Sequence, residues 1–313
     1  MHASLAGQRV LITGASGLVG RRLAAELHQA GATVVAAVRR PVDDPARELF
    51  WDPQRGEIDV SKLDDVDAVV HLAGENVARG RWTASFKRKI RESRVNGTRL
   101  ISEALARRAA KPQAAGGRPS ALVCASAIGY YGDRGDETLI ESSPPGDDFL
   151  ARVCQEWEAA CQPARDAGIR TVNARIGVVL SAEGGALAKM LTPFKLGAGG
   201  KVGHGRQYMS WIAIDDVARA IAFLLANADV SGPVNVTAPR PVTNAQFAQT
   251  LGRVLRRPAI VPLPAFAARL LFGEMADALL LSSTRVMPQA LAAAGFQFQY
   301  GELEGALRRL VGR

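Results

Sequence analysis

Cysteine is scarce in this chain: 313 residues include only Cys124, Cys154 and Cys161. Three is an odd number, and none of them has the Cys-x-x-Cys spacing of a zinc or redox site. No disulfide is therefore needed to explain folding, buried thiols in a reducing compartment are expected, and no metal site is expected. Long apolar runs are missing as well. The richest stretches, 220–226 and 263–281, are short or broken by Arg269, Glu274 and Asp277, whereas a membrane span needs ~20 clean residues. The opening residues, MHASLAGQRVLITGASG, lack the basic region, apolar stretch and small-residue cleavage site of a secretion signal. These absences lead us to expect a cytoplasmic protein that touches no membrane.

Charge of one sign is in excess, with 39 Lys plus Arg against 30 Asp plus Glu. Nearly all of that +9 is concentrated between Phe86 and Pro119, which hold ten basic and two acidic residues. Aromatic side chains for base stacking are lacking there beyond Phe86, so nucleic acid is not an expected partner. A solvated helix face accounts for the charge, and attraction of a phosphate-bearing ligand is the next reading.

What is present is a chain 48% hydrophobic and 22% charged, enough for one large or two modest domains without help from metals or partner chains. Short β-branched runs at 9–13, 33–38, 67–72, 120–125 and 170–179 read as strands. Helical stretches at 20–29, 85–109 and 149–167 lie between them. Alternation of this kind predicts an α/β fold, a doubly wound parallel sheet with ligands beyond the carboxyl ends of its strands. After Val179 the pattern changes to glycine-rich loops, a strand-like SWIAI, a helix capped by Asp215 and running to Ala226, and a proline-punctuated tail ending in a strand at 295–300. We expect a nucleotide-binding domain of 1–179 plus 209–236, and a smaller C-terminal substrate lobe of 180–208 plus 237–313.

Gly14, Gly17 and Gly20 occur in TGASGLVG, directly after an apolar strand and directly before a helix. In that context glycines allow a sharp turn and close backbone approach to a pyrophosphate, whose charge meets the free amides of the helix N-terminus. This is a Rossmann-type arrangement. The second strand runs into Arg39 and Arg40 rather than the acid that would hold an NAD ribose. A guanidinium pair favours a 2′-phosphate, so NADP(H) is the expected cofactor.

TGASGLVG, the HLAG of 71–74, the NGT of 96–98 and SAIGYYGD at 126–133 together resemble the extended short-chain dehydrogenase/reductase superfamily. The later segments resemble its atypical epimerase-like subfamily, placed in the NAD-dependent epimerase/dehydratase family and also described as related to a cell-division inhibitor. The resemblance implies that Gly14, Ser16, Gly17, Leu18, Val19 and Gly20 line the pyrophosphate. It places Arg39 and Arg40 at the 2′-phosphate, His71, Leu72, Ala73 and Gly74 over the adenosine side, and Ile176 and Gly177 beside the nicotinamide. Trp51 and Asp52 would approach the adenine, with Trp51 equally a core candidate. His204, Arg206 and Gln207 of the glycine-rich loop 197–207 would face a nucleotide-sugar substrate.

The chain departs from the superfamily where proton transfer is usually done. Alignment on Glu158 puts Leu150 and Cys154 at the positions of the Tyr-x-x-x-Lys pair, and Ala127 stands at the usual serine. The hydroxyls left beyond the fourth strand are Ser126, Tyr130 and Tyr131, which become the candidate catalytic residues. Two functions follow: an NADP(H)-dependent oxidoreductase or epimerase-like enzyme on a sugar nucleotide or another carbonyl or hydroxyl compound, and a non-catalytic NADP-binding protein whose smaller lobe meets a protein partner.

Overall fold

The computed structural model describes residues 4–110 and 119–312. Lys111 and Arg118 of the basic stretch lie outside them. The strands in chain order are β1 (Arg9–Thr13), β2 (Thr33–Val38), β3 (Glu48–Asp52), β4 (Glu57–Ile58), β5 (Ala68–His71), β6 (Ala121–Ala127), β7 (Thr138–Leu139), β8 (Arg170–Ile176), β9 (Val178–Ser181), β10 (Tyr208–Met209), β11 (Trp211–Ala213), β12 (Gly232–Val236), β13 (Val242–Thr243) and β14 (Arg285–Val286). The helices are α1 (Leu18–Gln29), α2 (Ala84–Ala109), α3 (Phe149–Ala159), α4 (Gln162–Asp166), α5 (Gly185–Lys195), α6 (Ile214–Ala226), α7 (Asn244–Leu255), α8 (Ala265–Phe272), α9 (Glu274–Ala276), α10 (Gln289–Ala293) and α11 (Leu303–Leu310).

The main sheet has eight strands in the order β12-β8-β6-β5-β1-β2-β3-β4. All neighbours are parallel except the β3–β4 pair. Such a sheet is buried on both faces, so its strands alternate between two cores rather than between core and water. Val10 and Ile12 face a core shared with α1 and α6, while Leu11 faces one shared with α2, α3 and α4. From β1 the chain proceeds to β2 in one direction and returns to β5 in the other. That reversal opens a crevice at the carboxyl ends of β1 and β5. A third core gathers Leu180, Leu187, Trp211, Phe247, Leu251 and Leu307. Here β11 is shared, for Ile212 belongs to the first core while Trp211 and Ala213 belong to the third.

Four expectations are corrected. The run 170–179 is two strands, because the amide of Val178 turns away to the Ser210 carbonyl and β9 pairs with β11 instead of continuing the main sheet. The helix expected over 149–167 breaks between α3 and α4, where Pro163 stands within the first two residues of the second helix. Asp215 does not cap α6; it lies in the first turn and its carboxylate pairs with Arg22 of α1 at 2.5 Å. No strand forms at 295–300. Phe296 and Phe298 alternate inward as a strand would, packing edge-to-face at 4.9 Å, but the amides of Gln299 and Tyr300 donate to the Asp216 carboxylate. A side chain has taken the donors a sheet would need. Among the described residues no helix is long and apolar enough to cross a membrane.

Candidate dinucleotide and substrate site

The crevice begins where β1 ends. Gly14 has φ +71°, and a Cβ there would lie 3.1 Å from the Ala73 amide. At Gly20 a Cβ would lie 2.2 Å from the Gly14 carbonyl, so the first turn of α1 sits directly on the loop. Gly17 precedes α1, which has no capping side chain, leaving the first amides of the helix to an incoming anion. Arg21 fastens the loop from outside by donating to the Ser16 carbonyl at 2.7 Å. Leu18 and Val19 are half-buried, and Ser16 and Gly17 are exposed. A cradle that any Cβ would fill, with open amides on one wall, fits a pyrophosphate.

The HLAG segment forms the opposite wall by backbone. Thr13 Oγ1 accepts from the amides of Leu72 and Ala73 at 3.2 and 3.3 Å, which leaves its proton for His71 Nδ1 at 2.7 Å. His71 itself is completely buried, edge-on to Trp51 at 5.6 Å, and its Nε2 has no hydrogen-bond partner among the described residues. Burial pulls its pKa down to about 4. The imidazole thus faces the core, and Leu72, Ala73 and the exposed Gly74 are the parts that reach the crevice. Gly97 of the NGT segment has its place here, since a Cβ there would touch Trp51 at 3.4 Å and His71 at 3.5 Å. Trp51 is core.

The two arginines after β2 differ. Arg40 donates to both Glu48 oxygens, at 2.5 and 3.0 Å, and pairs with Asp43. The Arg40 hydrogen bond holds the Glu48 carboxyl at about 2. Arg39 is exposed and makes no ion pair among the described residues.

Beyond β6 the structure reveals a buried polar chain. Ser126 donates to Glu158 Oε1 at 2.7 Å, and Glu158 receives Arg175 Nε and Nη2 at 2.8 and 2.9 Å. Arg175 Nη1 donates to the Tyr131 hydroxyl at 3.0 Å, and that hydroxyl donates to Asn235 Oδ1 at 2.7 Å. Burial works against the Arg175 charge, but hydrogen bonding and attraction to Glu158 more than offset it, and its pKa lies above the ordinary arginine value. Burial raises the Tyr131 pKa, with Arg175 offsetting only part of that. Tyr130 is the member of the trio left half-exposed. Its ring lies 3.4 Å from the Arg175 guanidinium, and its hydroxyl makes no hydrogen bond to a described residue.

Leu150 and Cys154 lie below this turn, 3.4 and 3.9 Å from where a Cβ on Gly129 would be. Burial pushes the Cys154 thiol up to about 12, so it stays protonated. Gly177, where β8 gives way to β9, has no room for a side chain, since a Cβ would lie 2.7 Å from the Ser210 carbonyl. Ile176 is half-buried beside it. In the glycine-rich loop Gln207 is buried and donates to the Val202 and Leu280 carbonyls, whereas His204 and Arg206 are exposed. The reading from sequence missed Glu158, Arg175 and Asn235 as a network. The available signal was a strand, RTVNARI, that carries Asn173 and Arg175 at interior positions of the sheet.

A parallel sheet with this cradle at its switch point defines a dinucleotide-binding protein of the Rossmann class. Residues 10–237 match the NAD dependent epimerase/dehydratase family, and residues 263–310 match a domain of unknown function, DUF1731. The chain belongs to that epimerase/dehydratase family. It is 45% identical over 303 residues to an epimerase family protein of Mycobacterium bovis, covering 97% of both chains. It is similar to the crystal structure of human epimerase family protein SDR39U1 (isoform 2) with NADPH, at TM-score 0.87 and 34% identity, covering 98% of this chain and 100% of that one. A nucleoside-diphosphate sugar epimerase of Corynebacterium glutamicum matches at TM-score 0.80 and 38% identity, covering 99% of this chain and 59% of that one.

Proposed function

We propose that this protein is an NADP(H)-dependent, epimerase-like enzyme acting on a carbonyl or hydroxyl of a small anionic substrate of the sugar-nucleotide class. The observation that carries the cofactor is the pairing of a side-chain-free cradle at 14–20 with an uncommitted Arg39 at the end of β2. An arginine fork suits a 2′-phosphate that an acid would repel. The NADPH in the human relative and the sugar-nucleotide designation of the Corynebacterium relative support the same choice. When bound, the cofactor supplies a hydride donor or acceptor.

The chain's own part is to hold and orient. The amides of 17–19 bind the pyrophosphate, and Ile176 and Gly177 border the nicotinamide. Tyr130 directs its hydroxyl at the reacting oxygen of the substrate, donating a hydrogen bond to a carbonyl. Ser126 and Tyr131 act one step removed, as positioning residues, through the chain that fixes Arg175 under the Tyr130 ring. His204 and Arg206 offer polar ends on the substrate side, and Gln207 anchors their loop.

The test is to incubate the protein with NADPH and a panel of sugar nucleotides, following cofactor oxidation together with sugar isomers. Tyr130→Phe should lower turnover by a factor of ~10² while leaving NADPH affinity unchanged. Turnover that survives that change removes Tyr130 from the chemistry. A second reading, a non-catalytic NADP-responsive protein whose smaller lobe meets a protein partner, is favoured by Leu150, Cys154 and Ala127 and by the engagement of the Ser126 and Tyr131 hydroxyls within the protein. It predicts tight NADPH binding with no turnover on any member of the panel.

A further inference from the structure

Every large apolar side chain that stands exposed among the described residues lies at 196 or within 260–279, in the smaller lobe. The two stretches are neighbours. Val261 donates its amide to the Gly199 carbonyl at 3.1 Å, Leu263 to the Lys201 carbonyl at 2.9 Å, and Arg257 Nε to the Lys195 carbonyl at 3.0 Å. From there the chain enters α8, which is packed inside out. Ala268 is fully buried and Ala265 and Ala267 are half-buried, while Phe266 and Leu270, one turn apart, are 73% and 74% exposed. A helix that only had to cover its own lobe would turn the large side chains inward. Single apolar residues are ordinary on a surface, whereas a collection on one lobe marks an interaction site.

The charge of the same face is of one sign. Residues 184–214 and 256–273 contain no acid, yet they hold Lys189, Lys195, Lys201, Arg206, Arg256, Arg257 and Arg269. All are exposed, and of them only Arg269 makes an ion pair among the described residues, with Asp277. Arg256 stands apart from the rest. It caps α7 with φ +54°, and no other non-glycine residue of the described chain has a positive φ. Glycine is the usual occupant of such a helix end, so the backbone there is strained to carry a cation. A second copy of the chain is a poor occupant for this face, because a two-fold contact would set unpaired cations against one another. An anionic surface with an apolar interior satisfies both its charge and its exposed side chains.

We propose that this face of the smaller lobe rests on an anionic phospholipid bilayer, with Phe266, Leu270 and Ile260 entering the headgroup region and Lys195, Arg256 and Arg257 meeting the lipid phosphates. The lack of long apolar runs led to the expectation of a protein that touches no membrane. That lack bears on crossing a bilayer, whereas lying on one requires only a face of this kind. The contact does not depend on the cofactor or on the chemistry of the crevice.

Sedimentation of the full chain with vesicles of phosphatidylcholine alone, and of phosphatidylcholine with phosphatidylglycerol at roughly 7:3, tests it. The unchanged chain should partition onto the anionic vesicles ~10-fold or more above the neutral ones, and less as salt rises from about 0.05 to about 0.5 M. Phe266→Asp with Leu270→Asp should lower that partitioning ~10-fold or more and keep the melting temperature, since both side chains already stand in solvent. Arg256→Gly should weaken partitioning roughly 3-fold while raising the melting temperature, a combination that a purely structural arginine would not give. Arg99→Gln with Arg107→Gln removes two exposed cations from the second half of α2, away from the end that meets Glu274, and should leave partitioning within about 2-fold. A loss there as large as that of the aspartate pair would reduce the effect to net charge and overturn the proposal. So would failure of the unchanged chain to sediment with anionic vesicles, or an aspartate pair that binds as tightly as the unchanged chain. A dimer in solution that the aspartate pair turns into a monomer would overturn it too, by assigning the face to a second copy.

Discussion

Two adjacent arginines in one sequence have different chemistry because of what lies across from each. Arg40 is committed to Glu48 and Asp43, and Arg39 is not. Arg39→Asp should therefore weaken NADPH roughly 30-fold or more, while Arg40→Ala should change it little; titration of both variants with NADPH checks this, and equal losses would contradict it. His71 shows a similar dependence on surroundings. Its ordinary pKa near ~6.5 falls to about 4 through burial. The native state thus binds fewer protons than the unfolded chain between those values. The contribution of the neutral imidazole to stability is complete above pH ~6.5, is lost as pH falls toward 4, and amounts to about 3 kcal/mol. Urea unfolding from pH 7 to pH 4 should show a steep loss that is flatter in His71→Asn. An identical slope in the two proteins would place the titration elsewhere.

At the scale of elements, α3 is joined to β6 and β8 by charge as well as by apolar packing. The Arg175 side chain is 3% exposed and Glu158 13% exposed, so the pair is a buried one. Removing one partner leaves an unpaired charge and should cost about 3–5 kcal/mol. Removing both as Glu158→Leu with Arg175→Met should cost less than the sum of the single changes. Chemical denaturation of the four proteins of that cycle measures the coupling, and strict additivity would show that the two side chains do not act as a unit. The same elements show how a strand ends. β8 leaves the main sheet at Gly177, where the Ser210 carbonyl comes too close for any side chain and takes the Val178 amide, so that β9 pairs with β11 instead.

For the whole molecule, exposed contacts join the segment before α2 and the first turn of α2 to α5, α8 and α9. Lys189 donates to the Ala78 carbonyl, Arg81 to the Leu270 carbonyl, and Lys87 to Glu274. A ligand bound only by the folded state stabilises all of this at once. At a concentration 100 times its dissociation constant NADPH should add about 2.7 kcal/mol and raise the melting temperature by roughly 4 °C. NADH at the same concentration should add much less. Thermal unfolding with each cofactor decides it, and equal shifts would argue against a 2′-phosphate site.

Periodicity and glycine spacing by themselves determined the alternation of strands and helices, the cradle after β1 and the arginines after β2, because those features are written within a βαβ unit of roughly 30 residues. The family resemblance likewise lay in local segments. Tertiary structure alone decided which polar groups are engaged. Ser126 meets Glu158 and Tyr131 meets Asn235 across sequence separations of 32 and 104 residues, and no local pattern encodes such a partner. The same holds at 295–300, where alternating phenylalanines read as a strand until Asp216 captures the backbone amides. Arg94 is the sharpest case: in sequence it is one cation among many on a basic helix. Only the approach of Gly74 and Trp157, brought from other elements, makes it a half-buried cation stacked on an indole, since burial and stacking are properties of packing rather than of chain order.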